Sequence, residues 1–319
     1  MKLRALVLAI SLVVTSVLTA NADERVPKVA VAYDIGFLGD NSFNDAVNIA
    51  LTQAKKKYNL VEPFVREVPT NGTAVDRLTR LRFLAKNGYT LIIAVGPGYR
   101  EAVRRVAMEY TETQFAIIND KTLGQLNISN IYFREDQGAY LAGVVAALST
   151  KRKVVGFVGS EPELLSSFQK GVKSISSTIN VVNISYPDEI SALQKGLSRV
   201  DVAYSTWDGD STVLTTVLAT YSKKVSLIVE SPDQYFANLP GAKGVVIASV
   251  NKVLNKPIDQ LIQAAFANSS LIDVLDESAG IYGREYGVIN GGIRITMYGP
   301  ISNRVKSALT RALNQLKQG

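Results

Sequence analysis

Two patterns of apolar and polar positions alternate along the chain. Short, nearly continuous apolar runs bounded by turn residues occur at KVAVAYDI (from Lys28), VEPFVREV, TLIIAVG, QFAIIN, NISNIYF, KVVGFVGS (from Lys153), NVVNISY, VDVAYST, VSLIVES and GVVIASV. Between most of them, apolar residues recur at three- and four-residue spacing, as in FNDAVNIALTQAKKKY, VDRLTRLRFLAKNG and REAVRRVAMEY. That is the period of a helix with one buried face. Strands that are apolar on both faces and separated by helices predict parallel sheets with helices on either side, an α/β class.

The rhythm restarts midway. KVAVAYDIGFLGDNSF and KVVGFVGSEPELLSSF each read as a strand, a glycine-containing loop and a helix, which predicts two similar doubly wound domains. In such sheets ligands bind beyond the carboxyl ends of the strands. The loops there carry Asp34 and Phe43, Gly96 to Tyr99, and Asn119 and Asp120 in the first half. In the second half they carry Ser160 and Glu161, Trp207 and Asp208, and Ser231 and Asp233. Two aromatics among oxygen acceptors suit a flat, polar, hydroxylated ligand.

Each motif also has a plainer reading. In GDNSFNDA, Ser42 is a good N-cap and Asp45 stands where a capping-box acid belongs, so the loop is a helix cap with or without a site. Trp207, the sole tryptophan, sits in the polar turn STWDGDS and is expected to face a cleft. GPGYREAV lacks the lysine and hydroxyl of a phosphate-binding loop and reads as a tight turn. DGDS lacks the later ligands of a calcium loop, and Asp210 reads as a cap. NGGI, Asn290 to Ile293, is either a hairpin turn or a crossing near a hinge.

Composition narrows the chemistry. With no cysteine there is no disulfide, thiolate nucleophile or lipid-bearing cysteine, and with no histidine there is no Ser-His-Asp triad or imidazole ligand. No cofactor or metal is expected. The formal charge of +7 is spread along helices without interleaved aromatics, which argues against nucleic acid as a partner. At the front, Lys2 and Arg4 precede the mostly apolar run Ala5 to Leu18 and the A-x-A site Ala20-Asn21-Ala22. Residues 1–22 therefore read as a signal peptide, with an exported mature chain starting at Asp23. The run is shorter than the roughly 20 residues of a spanning helix.

Taken together, these residues resemble the basic membrane protein family, the purine-nucleoside-receptor-like substrate-binding proteins of ABC transporters. YDIGFLGDNSFNDA carries the first part of the resemblance; LIIAVG, FAIIND, NISNIYFREDQGAYLAGVVAA and KVVGFVG follow in the family's order. DVAYSTWDGDS, SPDQ, ASVNK and YGVINGGI continue it, so that it covers most of the chain. The resemblance implies a type I periplasmic-binding-protein fold, two doubly wound lobes joined by a hinge. It implies a first lobe of residues 23–133 plus about 251–283, and a second of 134–250 plus about 284–319.

The resemblance also implies a nucleoside, purine by preference, held between the lobes and passed to an ABC permease. Asp34 would accept from ribose hydroxyls, Phe43 would stack on the base, Asn44 completes the motif, and Trp207 could supply the opposite wall. Asn119 stands where the family has an Asp that reads the base edge, with Asp120 next to it; Ser231 replaces another Asp, while Asp233 is kept. Asn290 belongs to the late YGVINGGI element. The expected protein is a monomer that meets the membrane only through the permease. The competing readings are an exported carboxylate-dependent nucleoside hydrolase, and the same fold holding a sugar or signalling ligand.

Overall fold

The computed structural model describes residues 26–35, 38–39, 43–185, 190–206, 212–230 and 240–318. The chain begins with β1 (Val29–Ala32), α1 (Phe43–Tyr58), β2 (Val65–Val68), α2 (Ala74–Lys86) and β3 (Leu91–Val95). There follow α3 (Arg100–Glu109), β4 (Gln114–Ile118) and β5 (Ile128–Phe133). After α4 (Glu135–Ser149) the pattern repeats with β6 (Val154–Val158), α5 (Pro162–Ile175), β7 (Asn180–Ile184), α6 (Ile190–Leu197) and β8 (Val202–Ser205). It continues through α7 (Thr212–Thr216), β9 (Ser226–Val229), α8 (Ala242–Val245) and β10 (Val246–Lys252). The last part holds α9 (Asn255–Phe266), β11 (Asp273–Asp276), β12 (Ile281–Tyr286), β13 (Ile293–Met297) and α10 (Asn303–Gln318).

Two sheets result, in the orders β11-β12-β5-β4-β3-β1-β2 and β13-β10-β9-β8-β6-β7. The ten apolar runs became β1 to β10, and in β1, β3 and β8 every residue is buried, as strands covered on both faces must be. The sheets are not wholly parallel, however. β11 pairs antiparallel with β12, and β13 antiparallel with β10, each at a sheet edge. The link from β11 to β12 is too short for a crossover, so only the antiparallel pairing is open to them. β11, Asp-Val-Leu-Asp, is largely exposed and carries no apolar run to announce it.

The chain passes between the sheets three times: from β5 to α4, from β10 to α9, and from β12 to β13. α9 packs on α1, where Tyr58 and Phe266 stack at 5.3 Å, while α10 returns to α4, with Tyr140 Oη donating to Gln315 Oε1 at 3.1 Å. NGGI is therefore a crossing and not a hairpin turn, since β12 and β13 lie in different sheets. That crossing begins after Tyr286, because β12 stays paired with β5 as far as Tyr286 opposite Phe133.

α4 is buried along almost its whole length and crosses α5 at very close range. A side chain on Gly143 would begin 2.2 Å from the Phe168 carbonyl, and one on Gly171 would begin 2.0 Å from the Tyr140 carbonyl. The two glycines let the helix backbones touch, which seats the helix that starts the second lobe.

Candidate ligand-binding site

Among the described residues, Asp34, Gly96 to Tyr99, Asn119 and Asp120 follow strands of one sheet, and Ser160 and Glu161 follow a strand of the other. Asp34 follows β1. Its Oδ1 accepts from the Ile35 amide at 2.9 Å and from Arg77 of α2, through Nε at 3.1 Å and Nη2 at 2.5 Å. The carboxylate is thus held by a two-pronged guanidinium. Phe43 opens α1 and is half-buried, packed against the apolar core. Asn44 is buried, and its Nδ2 donates to the Ile35 carbonyl at 3.2 Å, tying α1 to the loop that carries Asp34.

Beyond β4 the paths of two neighbours diverge. Asn119 adopts a left-handed backbone (φ 64°), its amide donates to the Ile131 carbonyl at 2.7 Å, and its Nδ2 donates to Glu135 Oε1 at 3.3 Å. Asp120 has a fully buried carboxylate. Oδ2 takes Arg100 Nε at 2.7 Å and Nη2 at 2.6 Å, while Oδ1 takes the Thr122 amide at 2.8 Å and hydroxyl at 2.6 Å. With both oxygens engaged, Asp120 fixes the loop, and Asn119 is the residue whose side chain joins the polar cluster at the start of α4.

That cluster was not chosen from the sequence. Lys252, the last residue of β10, has a side chain only 7% exposed; its Nζ pairs with Glu135 Oε1 at 2.7 Å and Glu230 Oε2 at 3.4 Å. Glu230, after β9, in turn accepts from the buried Tyr204 hydroxyl of β8. Burial pushes the Tyr204 hydroxyl well above the ordinary tyrosine range, and the nearby Glu230 charge adds to this, so it stays protonated and donates. Lys252 Nζ also stands 5.6 Å from the centre of the Phe43 ring. One hydrogen-bonded chain therefore runs from Asn119 in the first lobe to Tyr204 in the second, with Phe43 against it. A signal for two of its members was present: Glu230 and Lys252 are charges at the ends of apolar strands, where a parallel sheet aims its loops at the ligand crevice.

The structure does not bring Asn290 into this group. Its Oδ1 accepts from the Gly287 amide at 2.9 Å and the Gly292 amide at 3.3 Å, its Nδ2 donates to the Glu285 carbonyl at 2.8 Å, and its own carbonyl takes Lys256 Nζ at 2.9 Å. Asn290 builds the third crossing between the sheets. Trp207, Ser231 and Asp233 lie outside the described residues, as do Ser42 and Asp210.

Comparison with known proteins agrees with the fold. The model of a family described as ABC transporter substrate-binding protein PnrA-like matches residues 27–206. The CD4+ T-cell-stimulating antigen of Listeria innocua is 28% identical over 231 residues, 64% of this chain and 63% of that protein. The ABC transporter nucleoside-binding protein BmpA of Lactococcus lactis is 28% identical over 186 residues, 57% of this chain and 53% of that one. The chain thus spans between half and two thirds of the length of these relatives. A solute-binding protein of an ABC transporter system from Conexibacter woesei superposes with a TM-score of 0.69 at 19% identity, covering 91% of this chain and 96% of its own. A transcriptional activator of the comK gene from Bacillus halodurans superposes with a TM-score of 0.71 at 17% identity, covering 91% and 97%. The fold is the α/β type I periplasmic-binding-protein fold.

Proposed function

Because the chain belongs to the PnrA-like family of ABC transporter substrate-binding proteins, whose members bind solutes and are not enzymes, we propose that it captures a nucleoside, purine by preference, and delivers it to an ABC permease. The observation that carries this reading is the loop after β1. One short segment offers the Asp34 carboxylate as a ribose acceptor and, nine residues on, the half-buried Phe43 ring as a stacking face. A nucleoside is a planar base joined to a hydroxylated ring, and this pair answers both parts. Asn119 adds an amide able to donate or accept at the base edge. The family match and the relative named as a nucleoside-binding protein support the same reading.

Binding is expected to draw the lobes together. Contacts made to both lobes at once favour the closed arrangement over the open one by the difference in contact energy. Export, with residues 1–22 removed, and action as a monomer complete the proposal.

Mass spectrometry of the ligand carried through purification, followed by calorimetry with inosine, guanosine, adenosine, cytidine and ribose, tests the reading. A nucleoside should bind without release of free base, and the emission of Trp207, the sole tryptophan, should change on saturation. Binding of ribose or another sugar but no nucleoside would overturn it. Appearance of free base would instead revive the hydrolase reading.

A further inference from the structure

Asp34 is surrounded by a shell whose members do not follow from any motif. Arg77 reaches it from α2 with two donors, and its Nη1 also donates to the Gly72 carbonyl at 2.8 Å. One guanidinium therefore ties the loop after β1 to the loop after β2. The same guanidinium lies 5.5 Å from the centre of the Tyr99 ring. Tyr99 is fully buried and its hydroxyl donates to the Tyr33 carbonyl at 2.9 Å, which holds the backbone immediately before Asp34. Burial, and after it the Asp34 charge, pushes the Tyr99 hydroxyl upward, so it remains a donor.

A side chain on Gly98 would begin 2.5 Å from Asp34 Oδ2 and 2.9 Å from Arg77 Nη2, and one on Gly96 would begin 3.3 Å from Oδ2. The GPGY turn is thus more than a connection between β3 and α3. It leaves room for the Asp34 carboxylate. Among the described residues Oδ1 receives three hydrogen bonds and Oδ2 receives none, so Oδ2 is what the carboxylate has to offer.

We infer that Arg77 is a positioning residue for ligand recognition: with Gly98 and Tyr99 it locks the Asp34 carboxylate into one orientation, so that selectivity for the ribose of a nucleoside depends on a side chain acting only through Asp34. This rests on the nucleoside reading above. A free carboxylate would sample several rotamers, and a ligand would have to order it at the cost of binding energy; a carboxylate clamped in advance spares that cost. Arginine suits the task because its planar fork grips a carboxylate with two donors, which lysine cannot.

The test compares wild type, Arg77→Gln, Arg77→Lys, Gly98→Ala, Asp34→Ala and the Asp34→Ala/Arg77→Gln double variant by calorimetry with inosine and with hypoxanthine. Arg77→Gln should weaken inosine on the order of 10- to 100-fold, the scale of a charge-assisted hydrogen bond, and leave hypoxanthine unchanged. Arg77→Lys should recover part of the loss. In the Asp34→Ala background, Arg77→Gln should cost nothing further, because the two act as a unit.

Equal losses for nucleoside and base, additive losses in the double variant, or wild-type affinity in Arg77→Gln would each overturn the inference. If Arg77→Gln does not fold, Gly98→Ala, whose methyl would press on both the carboxylate and Arg77, must reproduce the selective loss of inosine; wild-type affinity there overturns it as well. If wild type binds no nucleoside, the proposed function falls, and crystal structures of wild type and Arg77→Gln decide the positioning claim alone. Movement of the Asp34 carboxylate upholds it and an unchanged rotamer overturns it.

Discussion

Lys252, the last residue of β10, presents its ammonium 5.6 Å from the centre of the Phe43 ring at the start of α1. Two sheets thus meet through a cation over an aromatic face, the geometry in which a ring's negative quadrupole attracts charge. The same ring is the proposed stacking surface for the base.

Phe43→Ala is expected to weaken nucleoside binding by about 1–3 kcal/mol, the value of one base-aromatic stack, while the protein stays folded because the ring is only half-buried. Calorimetry beside circular dichroism checks both halves. Unchanged affinity would mean that the base lies elsewhere.

Removing the ammonium should cost stability rather than affinity alone. Lys252→Met removes the ammonium that stands 3.4 Å from Glu230, whose side chain is 3% exposed. Breaking one side of a buried pair costs on the order of 3 kcal/mol. The half-exposed side of the pair at Glu135, screened by water, adds less. The melting temperature should fall in Lys252→Met and recover in part in Lys252→Met/Glu230→Gln, where the buried carboxylate's charge is gone.

The α4–α5 crossing predicts that Gly171→Ala is among the more damaging single-methyl additions. The added carbon would begin 2.0 Å from the Tyr140 carbonyl oxygen, which belongs to a helix backbone and cannot swing aside. Overpacking typically costs about 1–3 kcal/mol, and this site should lie at or above the upper end. Gly244→Ala, where nothing lies within 4 Å of the new carbon, serves as the control in the same melting experiment.

Acid should loosen the first lobe through Glu67. Burial alone would raise its carboxyl, but hydrogen bonds from Lys55 and from Tyr33, with the Lys55 charge and Asn48, outweigh it and hold the group below its ordinary value of 4.5. A carboxyl lowered on folding contributes stability in full above its unfolded value, and that contribution is lost as pH falls through the folded one. Melting temperature should therefore decline below about pH 4.5 with a component absent in Glu67→Gln. An identical acid decline in the variant would assign that slope to other carboxylates.

Much of the architecture was written in local pattern. β1 to β10 each lie in an apolar run, and β1–α1 and β6–α5 repeat one strand-loop-helix unit; the pattern is fullest in β1, β3 and β8, buried at every position, and weakest in the edge strands β2 and β7. β11 leaves no such pattern for the converse reason: an exposed edge strand that begins at Asp273 and ends at Asp276 has no burial to enforce one. The antiparallel pairing of β13 leaves none either, since a strand does not encode the direction of its neighbour.

At the candidate site the division is sharper. The sequence by itself determined which residues end the strands, and so which stand just beyond them: Asp34, Phe43, Asn119 and Asp120 lie where the alternation of strand and helix put them. Tertiary structure alone decided what each one does. Asp120 spends both oxygens on Arg100 and Thr122, while its neighbour Asn119 reaches Glu135. Asn290 serves a crossing, and Arg77, 43 positions from Asp34, becomes its clamp. The physical reason is range. Hydrophobic periodicity acts between residues three or four apart and survives in the linear order, whereas a hydrogen bond or ion pair is set by distances of about 3 Å between groups that only folding brings together.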